Sequence, residues 1–273
     1  MSQNDRPDLL LRLQSAHHAY WLWLSNRLRW RRGHYREKPV GELADLDATQ
    51  RRRITELNAA YGVHFEQRFD RNNALENYTY LDLLDQLRAS LGEANWPQAR
   101  AVLDVGSKNF YYAAVLQAAL RPKTLTGLEL EGYRIYPNLH SRHDYAMAYI
   151  RDLPNTRFVV GDVREHPAPA ELITCFYPFV FADTHVAWFL PLRVFDPPGQ
   201  FAAMARLLEP GGQLLLCNQG EEEAEAAAGF AEQAGLYCRH RLQVSQPLTR
   251  RRLPPVLTIW QHAGQATSVE TSI

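Results

Sequence analysis

The stretch AVLDVGSKNFYYAAVLQAAL, residues 101–120, determines which fold class the sequence predicts. Its opening residues are aliphatic apart from Asp104, which is typical of a short buried strand. The apolar run from Phe110 to Leu120 is typical of a helix, and Pro122 marks where that helix has ended. A strand followed directly by a helix is the repeating unit of a parallel sheet that carries helices on both faces.

Segments further along the chain continue this alternation of strands and helices. Ser141, with Asp144 three residues later, indicates a capping box at the start of one helix. The last two strands have no helix between them, so one of them should run antiparallel beside the other. We therefore expect residues 98–263 to form an α/β fold, a doubly wound and mostly parallel seven-stranded sheet, followed by a flexible polar tail at 264–273. The strands predicted after the first are TLTGLEL (124–130), RFVVGD (157–162), ELITCFY (171–177), QLLLCN (213–218), LYCRHRLQV (236–244) and PVLTIWQHA (255–263).

Residues 1–97 have a helical pattern instead, which predicts an N-terminal helical cap. A second helix is expected from about Asp47 to Tyr61, with Gly62 as its stop, and a third from Tyr78 to Leu91. In the first helix, apolar residues recur at spacings of three and four, which predicts one buried face. That face comprises Leu9, Leu10, Leu13, Ala16, His17, Tyr20 and Leu24.

Composition limits the classes of function. Lysine plus arginine and aspartate plus glutamate both number 30, so the net charge is zero and no DNA partner is expected. The three cysteines, Cys175, Cys217 and Cys238, lie in apolar runs and are expected to be buried free thiols. The N-terminus lacks the apolar run of a signal peptide, and no stretch approaches the roughly 20 apolar residues of a membrane-spanning helix. A reducing cytoplasm is the expected location.

Three acidic residues occupy the ends of the first three predicted strands, where ligands bind in open α/β sheets. An acid at Glu129 can accept both hydroxyls of a ribose, and Asp162 can accept from an adenine amino group. The loop after the first strand has one glycine, Gly106, with Asp104 two residues ahead of it. That acid would repel a pyrophosphate but suits a cationic sulfonium cofactor, which argues against a dinucleotide.

On these residues, positions 98–263 resemble the class I S-adenosylmethionine-dependent methyltransferases. The family's first motif, acid-x-Gly-x-Gly, matches Asp104-Val105-Gly106, and its second-strand acid matches Glu129. The acid after the third strand matches Gly161-Asp162-Val163, and the turn before the fifth strand matches Leu208 to Gly212. The resemblance implies a Rossmann-like methyltransferase fold with S-adenosylmethionine as cofactor.

The resemblance also implies roles for individual residues. Asp104 and Gly106 would border the methionine part, Glu129 would hold the ribose, and Asp162 with Val163 would frame the adenine. The cofactor-binding residues expected on this basis are Asp104, Val105, Gly106, Ser107, Glu129, Leu130, Asp162, Val163 and Phe176.

The first loop departs from the family pattern. The family's second and third glycines fall here on Lys108 and Phe110, although glycine lets the backbone approach the ligand and tolerates positive φ. Lys108 either reaches the cofactor carboxylate or points to solvent. This departure leaves open a methyltransferase-like protein that binds a partner or a ligand without catalysis.

The acceptor side has weaker signals. An aromatic run from Phe179 to Phe195 lines an apolar acceptor pocket or packs in the core. His185 is the best-placed general base, since a neutral imidazole takes a proton near pH 7, and Tyr177 is the weaker candidate. His140 and His143 are three apart, but no third ligand is evident and no metal is expected.

The segment from Trp21 to Lys38 combines tryptophans with arginines. Such a segment is a helix face covered by arginine stems, a membrane-surface element or a platform for nucleic acid. The sequence thus predicts transfer of a methyl group from S-adenosylmethionine to a small-molecule acceptor, with N-terminal helices shaping the acceptor pocket. The alternative is a non-catalytic scaffold that associates with a membrane through this segment.

Overall fold

The computed structural model describes residues 9–263, and the tail predicted at 264–273 lies outside them. The described chain forms one seven-stranded sheet with helices on both faces. Its strands are β1 (Ala101–Val105), β2 (Thr124–Glu129), β3 (Thr156–Val160), β4 (Ala170–Phe176), β5 (Leu208–Gln219), β6 (Leu236–Gln243) and β7 (Pro255–His262). Its α-helices are α1 (Leu9–Leu28), α2 (Ala48–Tyr61), α3 (Arg71–Leu91), α4 (Ala113–Leu120), α5 (Arg142–Tyr149), α6 (Ala182–Ala187), α7 (Pro197–Leu207) and α8 (Gly220–Gln233).

The strand order is β3-β2-β1-β4-β5-β7-β6. All neighbouring pairs are parallel except those of β7, which runs antiparallel to both β5 and β6. The predicted α/β fold class and the reversed last strand are confirmed. Because the chain moves outward from β1 to β3 and then returns to place β4 on the other side of β1, a crevice opens at the carboxyl ends of these central strands.

Both faces of the sheet carry a hydrophobic core. One contains Phe201 of α7 and Ala227 of α8. The other contains Leu116 of α4 together with Tyr78 and Leu84 of α3. A helix of the N-terminal region therefore belongs to the same core as the sheet, and the boundary at residue 97 stays a prediction.

Local capping explains where the helices begin and end. The Asp47 side chain accepts a hydrogen bond from the Gln50 backbone N–H, and Gly62 ends α2 in the left-handed conformation, as expected. The capping box of Ser141 and Asp144 opens α5, also as expected. Helix α3 begins before the predicted Tyr78, at Arg71, because the Asp70 side chain caps it by accepting from the Asn73 N–H at 2.8 Å.

Two packing predictions were wrong. Cys238 is exposed, because it lies on the edge strand β6, whereas Cys175 and Cys217 are buried as expected. In α1 the buried residues are His18 and Leu22, and most of the face predicted to be buried is exposed. Helix α1 contacts the rest of the chain along a narrow edge, so apolar spacing alone did not identify the side that packs.

Candidate functional site

A cavity of about 850 Å³ opens at the carboxyl ends of the central strands. Its volume lies in the upper part of the range of about 300–1,000 Å³ typical of small-molecule sites. Most of the predicted site residues converge on it from different strands and loops. Those that line the cavity are Val105, Gly106, Glu129, Leu130, Asp162, Val163, Phe176, Tyr177 and His185.

Asp104 and Ser107 do not line the cavity. Both are fully buried beneath the loop, where the Ser107 hydroxyl donates to the Asp104 carbonyl at 2.8 Å. The Asp104 carboxylate accepts from the hydroxyls of Thr174 and Tyr112, each at 2.7 Å. Burial raises the pKa of Asp104 to about 7, although these hydrogen bonds oppose the shift. The two residues support the loop from below, and their contact with a cofactor stays a prediction.

The loop after β1 has glycine-like backbone angles at residues that are not glycine. Gly106 has φ 78°, and both Lys108 and Phe110 have φ 55°. The bulk of Phe110 is accommodated by Gly127 in β2, where an added Cβ would lie 2.6 Å from the phenyl ring. The loop therefore has the left-handed backbone conformation that a glycine-rich sequence favours. The Phe110 ring fits because Gly127 in the neighbouring strand has no side chain.

Lys108 lies at the wall of the cavity. Its backbone N–H donates to a Glu129 carboxylate oxygen at 2.7 Å. Its ammonium lies 5.3 Å from the centroid of the Trp188 ring and 6.0 Å from that of Tyr111. Burial lowers the pKa of Lys108, and the positive charge of Arg142 adds to this. The ammonium is therefore held between aromatic rings and does not point freely to solvent.

Glu129 forms the centre of a charged group at the tip of β2. One of its oxygens accepts from the Glu131 N–H at 2.9 Å and from the Arg142 guanidinium at 3.1 Å. Arg142 also lies 3.3 Å from the Glu131 carboxylate. Burial raises the pKa of Glu131 to about 7, although the two arginines nearby, Arg142 and Arg134, oppose the shift. The other Glu129 oxygen accepts from Lys108 and retains a lone pair, which an additional hydroxyl donor can use.

Asp162, at the end of β3, is paired with Arg164. The guanidinium Nε of Arg164 lies 3.0 Å from one carboxylate oxygen, and the Arg164 backbone N–H donates to the same oxygen at 2.9 Å. Burial alone would raise the pKa of Asp162, but these hydrogen bonds hold it below its usual value. The carboxylate is thus ionised at neutral pH and faces the cavity.

One polar atom at the cavity suits an amino group. The side-chain oxygen of Asn109 is buried and has no hydrogen-bond partner within residues 9–263, and Asn109 lines the cavity beside Gly106. An unpaired buried acceptor is costly unless a ligand donates to it. Together with Glu129 and Asp162, it provides acceptors for the amino, ribose and adenine groups of an adenosyl amino acid, so the residues present fit S-adenosylmethionine.

Sequence reasoning missed other parts of the cavity wall, among them residues of the N-terminal region and of the segment before β7. Glu76 of α3 pairs with Arg251 at 2.9 Å, and both residues line the cavity. They are 175 positions apart, so no local pattern could have joined them. Tyrosine is the commonest residue in the lining of the whole cavity: Tyr35, Tyr80, Tyr111, Tyr112, Tyr136, Tyr145, Tyr149 and Tyr177.

The Glu37 carboxylate joins the separate segments of this wall. It accepts from the hydroxyls of Tyr35 and Tyr149, from the Asn73 side-chain amide at 2.9 Å and from the Asp70 N–H at 3.1 Å. Burial would raise the pKa of Glu37, but these hydrogen bonds keep it below its usual value. The carboxylate is therefore ionised in the folded protein at neutral pH.

The two candidate bases differ in protonation. The His185 Nε2 lies 3.1 Å from the Pro191 carbonyl oxygen, which can only accept, so Nε2 carries the hydrogen and Nδ1 holds a lone pair. Burial lowers the pKa of His185, which keeps the ring neutral. Nδ1 is buried and has no partner in the described chain. Burial raises the pKa of Tyr177, so its hydroxyl stays protonated and suits donation better than proton removal.

His140 and His143 each lie against a tyrosine ring, and the His140 ring centroid is 5.3 Å from that of Tyr35. The His143 ring stacks on Tyr133 with centroids 5.7 Å apart. Asp144, beside it, accepts backbone hydrogen bonds from Arg32 and Gly33 at 3.0 and 2.9 Å. Within residues 9–263 no three histidine, cysteine or acidic side chains come together as metal ligands.

Comparison with known proteins finds similarity to solved structures of methyltransferases. No protein-family model matches the sequence, and no curated protein matches it. An S-adenosylmethionine-dependent methyltransferase from Clostridium acetobutylicum has 11% identity, a TM-score of 0.48, and a match covering 68% of this chain and 92% of that one. The N-methyltransferase NodS from Bradyrhizobium japonicum has 14% identity, a TM-score of 0.46, and coverage of 70% and 97%. Magnesium protoporphyrin IX methyltransferase from Synechocystis, solved with bound S-adenosylhomocysteine, has 12% identity, a TM-score of 0.46, and coverage of 79% and 95%. Similarity at this level carries no argument about the activity of this chain.

Proposed function

We propose that this protein is a transferase that moves a methyl group from S-adenosylmethionine to a small-molecule acceptor. The observation that carries the proposal is that Glu129 and Asp162, at the tips of neighbouring strands, line one cavity with the Gly106 loop. Bound S-adenosylmethionine supplies an electrophilic methyl group on a positively charged sulfur. Glu129 would accept the ribose hydroxyls, and Asp162 would accept the adenine amino group.

Other residues complete this binding mode. Leu130, Val163 and Phe176 line the same cavity and would provide apolar surface for the adenine. The unpaired Asn109 oxygen would accept from the amino group of the methionine part. These contacts would orient the cofactor and exclude water from its sulfur, which is the main requirement of methyl transfer.

His185 is the proposed general base. Its neutral ring holds an unpaired lone pair on Nδ1 and would take the proton of an acceptor hydroxyl as the new bond forms. Tyr177, protonated and without a hydrogen-bond partner for its hydroxyl in the described chain, would donate to the acceptor and position it. The tyrosine-rich wall favours a small acceptor with an aromatic or apolar body. A cytoplasmic location stays an expectation of the sequence.

Calorimetry with S-adenosylhomocysteine tests the cofactor assignment. We expect saturable binding to the wild-type protein and at least about a tenfold weaker affinity for Glu129→Gln and for Asp162→Asn, because each loses an anionic acceptor. Glu232→Gln, an exposed acid on α8, is the matched control and should bind like the wild type. Absence of heat with the wild-type protein at millimolar ligand would overturn the proposal.

One observation favours the alternative of a non-catalytic binding protein. Glu129 and Asp162 already have arginine partners, Arg142 and Arg164, which reduce their need for a ligand. Under this alternative, loss of either arginine would leave S-adenosylhomocysteine binding absent. Under the proposed function, Arg164→Ala frees the Asp162 carboxylate and leaves binding intact or tighter.

A further inference from the structure

Helix α1 is apolar on two opposite sides. His18 and Leu22 are buried against the rest of the chain. The α1 apolar face lies on the other side, and its residues are 49% to 71% exposed. A helix that is apolar all round is normally covered on both sides. The α1 apolar face consists of Leu9, Leu10, Leu13, Tyr20, Trp21 and Trp23.

Exposed apolar residues are concentrated around this face. Of the 16 large hydrophobic residues exposed in the described chain, seven lie on α1, and an eighth, Trp30, lies just after it. Four more lie on segments that contact α1 or Trp30, namely Ile135, Leu139, Trp188 and Phe189. Twelve of the 16 exposed residues are therefore on or near α1. The Trp30 indole N–H donates to the Leu139 carbonyl at 2.8 Å, and the His18 and Phe189 rings are 5.3 Å apart. These contacts hold the segments that carry the additional exposed apolar residues next to α1.

The same region is strongly basic, although the whole chain has a net charge of zero. Residues 9–36 contain six arginines and no acidic residue. Within residues 9–263 none of these arginines forms an ion pair with an acidic side chain. They are Arg12, Arg27, Arg29, Arg31, Arg32 and Arg36.

We propose that the α1 apolar face lies on the surface of an anionic lipid bilayer, with the helix parallel to the membrane plane. Leucine side chains would enter the acyl boundary, and tryptophan and tyrosine would sit at the level of the headgroups. The arginines, which have no acidic partner, would contact anionic lipid. Charge complementarity favours a bilayer over a second copy of this chain, because two copies would bring like charges together. The contact is peripheral, since no helix within residues 9–263 is long and apolar enough to cross a bilayer.

The buried edge of α1 connects this surface to the cavity. The Leu192 backbone N–H donates to the Ser15 hydroxyl at 2.8 Å, and the Arg193 guanidinium donates to the Ala19 carbonyl at 3.1 Å. These residues belong to the segment after α6, which carries His185 and Trp188 at the cavity wall. Trp188 is also 47% exposed. The helix that carries the proposed membrane face is therefore anchored on a segment that forms part of the cavity wall.

Vesicle flotation with the full chain tests the proposal. We expect the wild-type protein to float with vesicles of phosphatidylcholine containing about 30% phosphatidylglycerol, and about tenfold less with phosphatidylcholine alone. Added salt should reduce binding to the anionic vesicles because it screens the arginines. Neither the cofactor nor an acceptor is present, so the result is independent of the proposed function.

Matched variants locate the surface. Leu13→Glu combined with Trp23→Glu should lower vesicle binding at least about tenfold. Leu253→Glu introduces the same charge at a side chain that is 51% exposed and lies far along the chain, just before β7, and it should bind like the wild type. Far-UV circular dichroism and thermal unfolding confirm that each variant is folded.

Four outcomes would overturn the proposal. The α1 apolar face would not be a membrane-binding surface if the wild-type protein did not float with anionic vesicles. The same conclusion would follow if the α1 variant floated as well as Leu253→Glu. A wild-type dimer in light scattering that Leu13→Glu dissociates, without vesicle binding, would assign the face to a second copy. Saturable binding of single-stranded RNA without vesicle binding would assign it to nucleic acid.

Discussion

Replacing Asp104 with asparagine should change how the stability of the protein depends on pH. The carboxyl group is fully buried, and its pKa is raised from 3.8 to about 7. As the pH rises, the unfolded state releases its proton first, since its pKa is the lower one. Stability contributed by the protonated group is therefore complete below about pH 4 and declines until about pH 7.

The shift of about three pKa units corresponds to about 4 kcal/mol at 1.36 kcal/mol per unit, which is an upper bound. Asparagine has nearly the same shape but does not ionise, so Asp104→Asn does not lose this stability. It rearranges the hydrogen bonds with Thr174 and Tyr112, and that cost is independent of pH. We expect the unfolding free energy of the variant relative to wild type to rise by about 2–4 kcal/mol between about pH 4 and pH 8.

Urea denaturation followed by far-UV circular dichroism at steps across this pH range measures the difference. Comparing the two proteins at each pH cancels the contributions of all other titrating groups. A difference that stays constant to within about 1 kcal/mol across the range would refute the raised pKa and the burial argument behind it.

Three further predictions concern the loop and the base. Gly127→Ala should lower the unfolding free energy by about 1–3 kcal/mol, because the new Cβ would lie 2.6 Å from the Phe110 ring. In the control variant Gly229→Ala on α8, the new Cβ meets no atom within 4 Å, and the protein should become slightly more stable. Equal effects of the two substitutions in urea denaturation would contradict the packing of Phe110 against Gly127. Lys108→Gly should exceed Lys108→Ala in stability by about 1 kcal/mol, because φ at this position is 55°, and the reverse order would show that the left-handed conformation is not occupied. The rate of methyl transfer should fall as the pH drops through the lowered pKa of His185, below 6.5, because the protonated ring cannot accept a proton. In His185→Gln the rate should fall by about 10²–10⁴, and its decline at acidic pH should disappear. A decline at acidic pH that persists in this variant would exclude His185 as the base.

Features encoded by neighbouring residues could be predicted from the sequence. Strand β1 and the acids Glu129 and Asp162 follow from short aliphatic runs that end in a carboxylate, and parallel strands bring such ends to one edge. The start of α5 follows from the hydrogen bonds of Ser141 and Asp144, which are three residues apart. These signals act over a few residues, and tertiary packing did not override them.

Features that depend on distant residues could not be predicted. The pairing of Glu76 with Arg251 requires the path of the whole chain. The accommodation of Phe110 by Gly127 requires the register between a loop and the next strand. The spacing of α1 predicted one buried face, but most of that face is exposed, because only the fold decides which side of the helix the chain itself covers.

The position of Glu37 has a consequence for how the cavity can open. Its single ionised carboxylate accepts hydrogen bonds from the segment between α1 and α2 that contains Tyr35, from the start of α3 and from the end of α5. Moving any one of these segments away would leave the buried Glu37 carboxylate with fewer hydrogen-bond donors. The contacts of the remaining segments with Glu37 would then stabilise the closed cavity less. Entry of an acceptor should therefore depend on a coupled movement of all three segments rather than on independent loop motions.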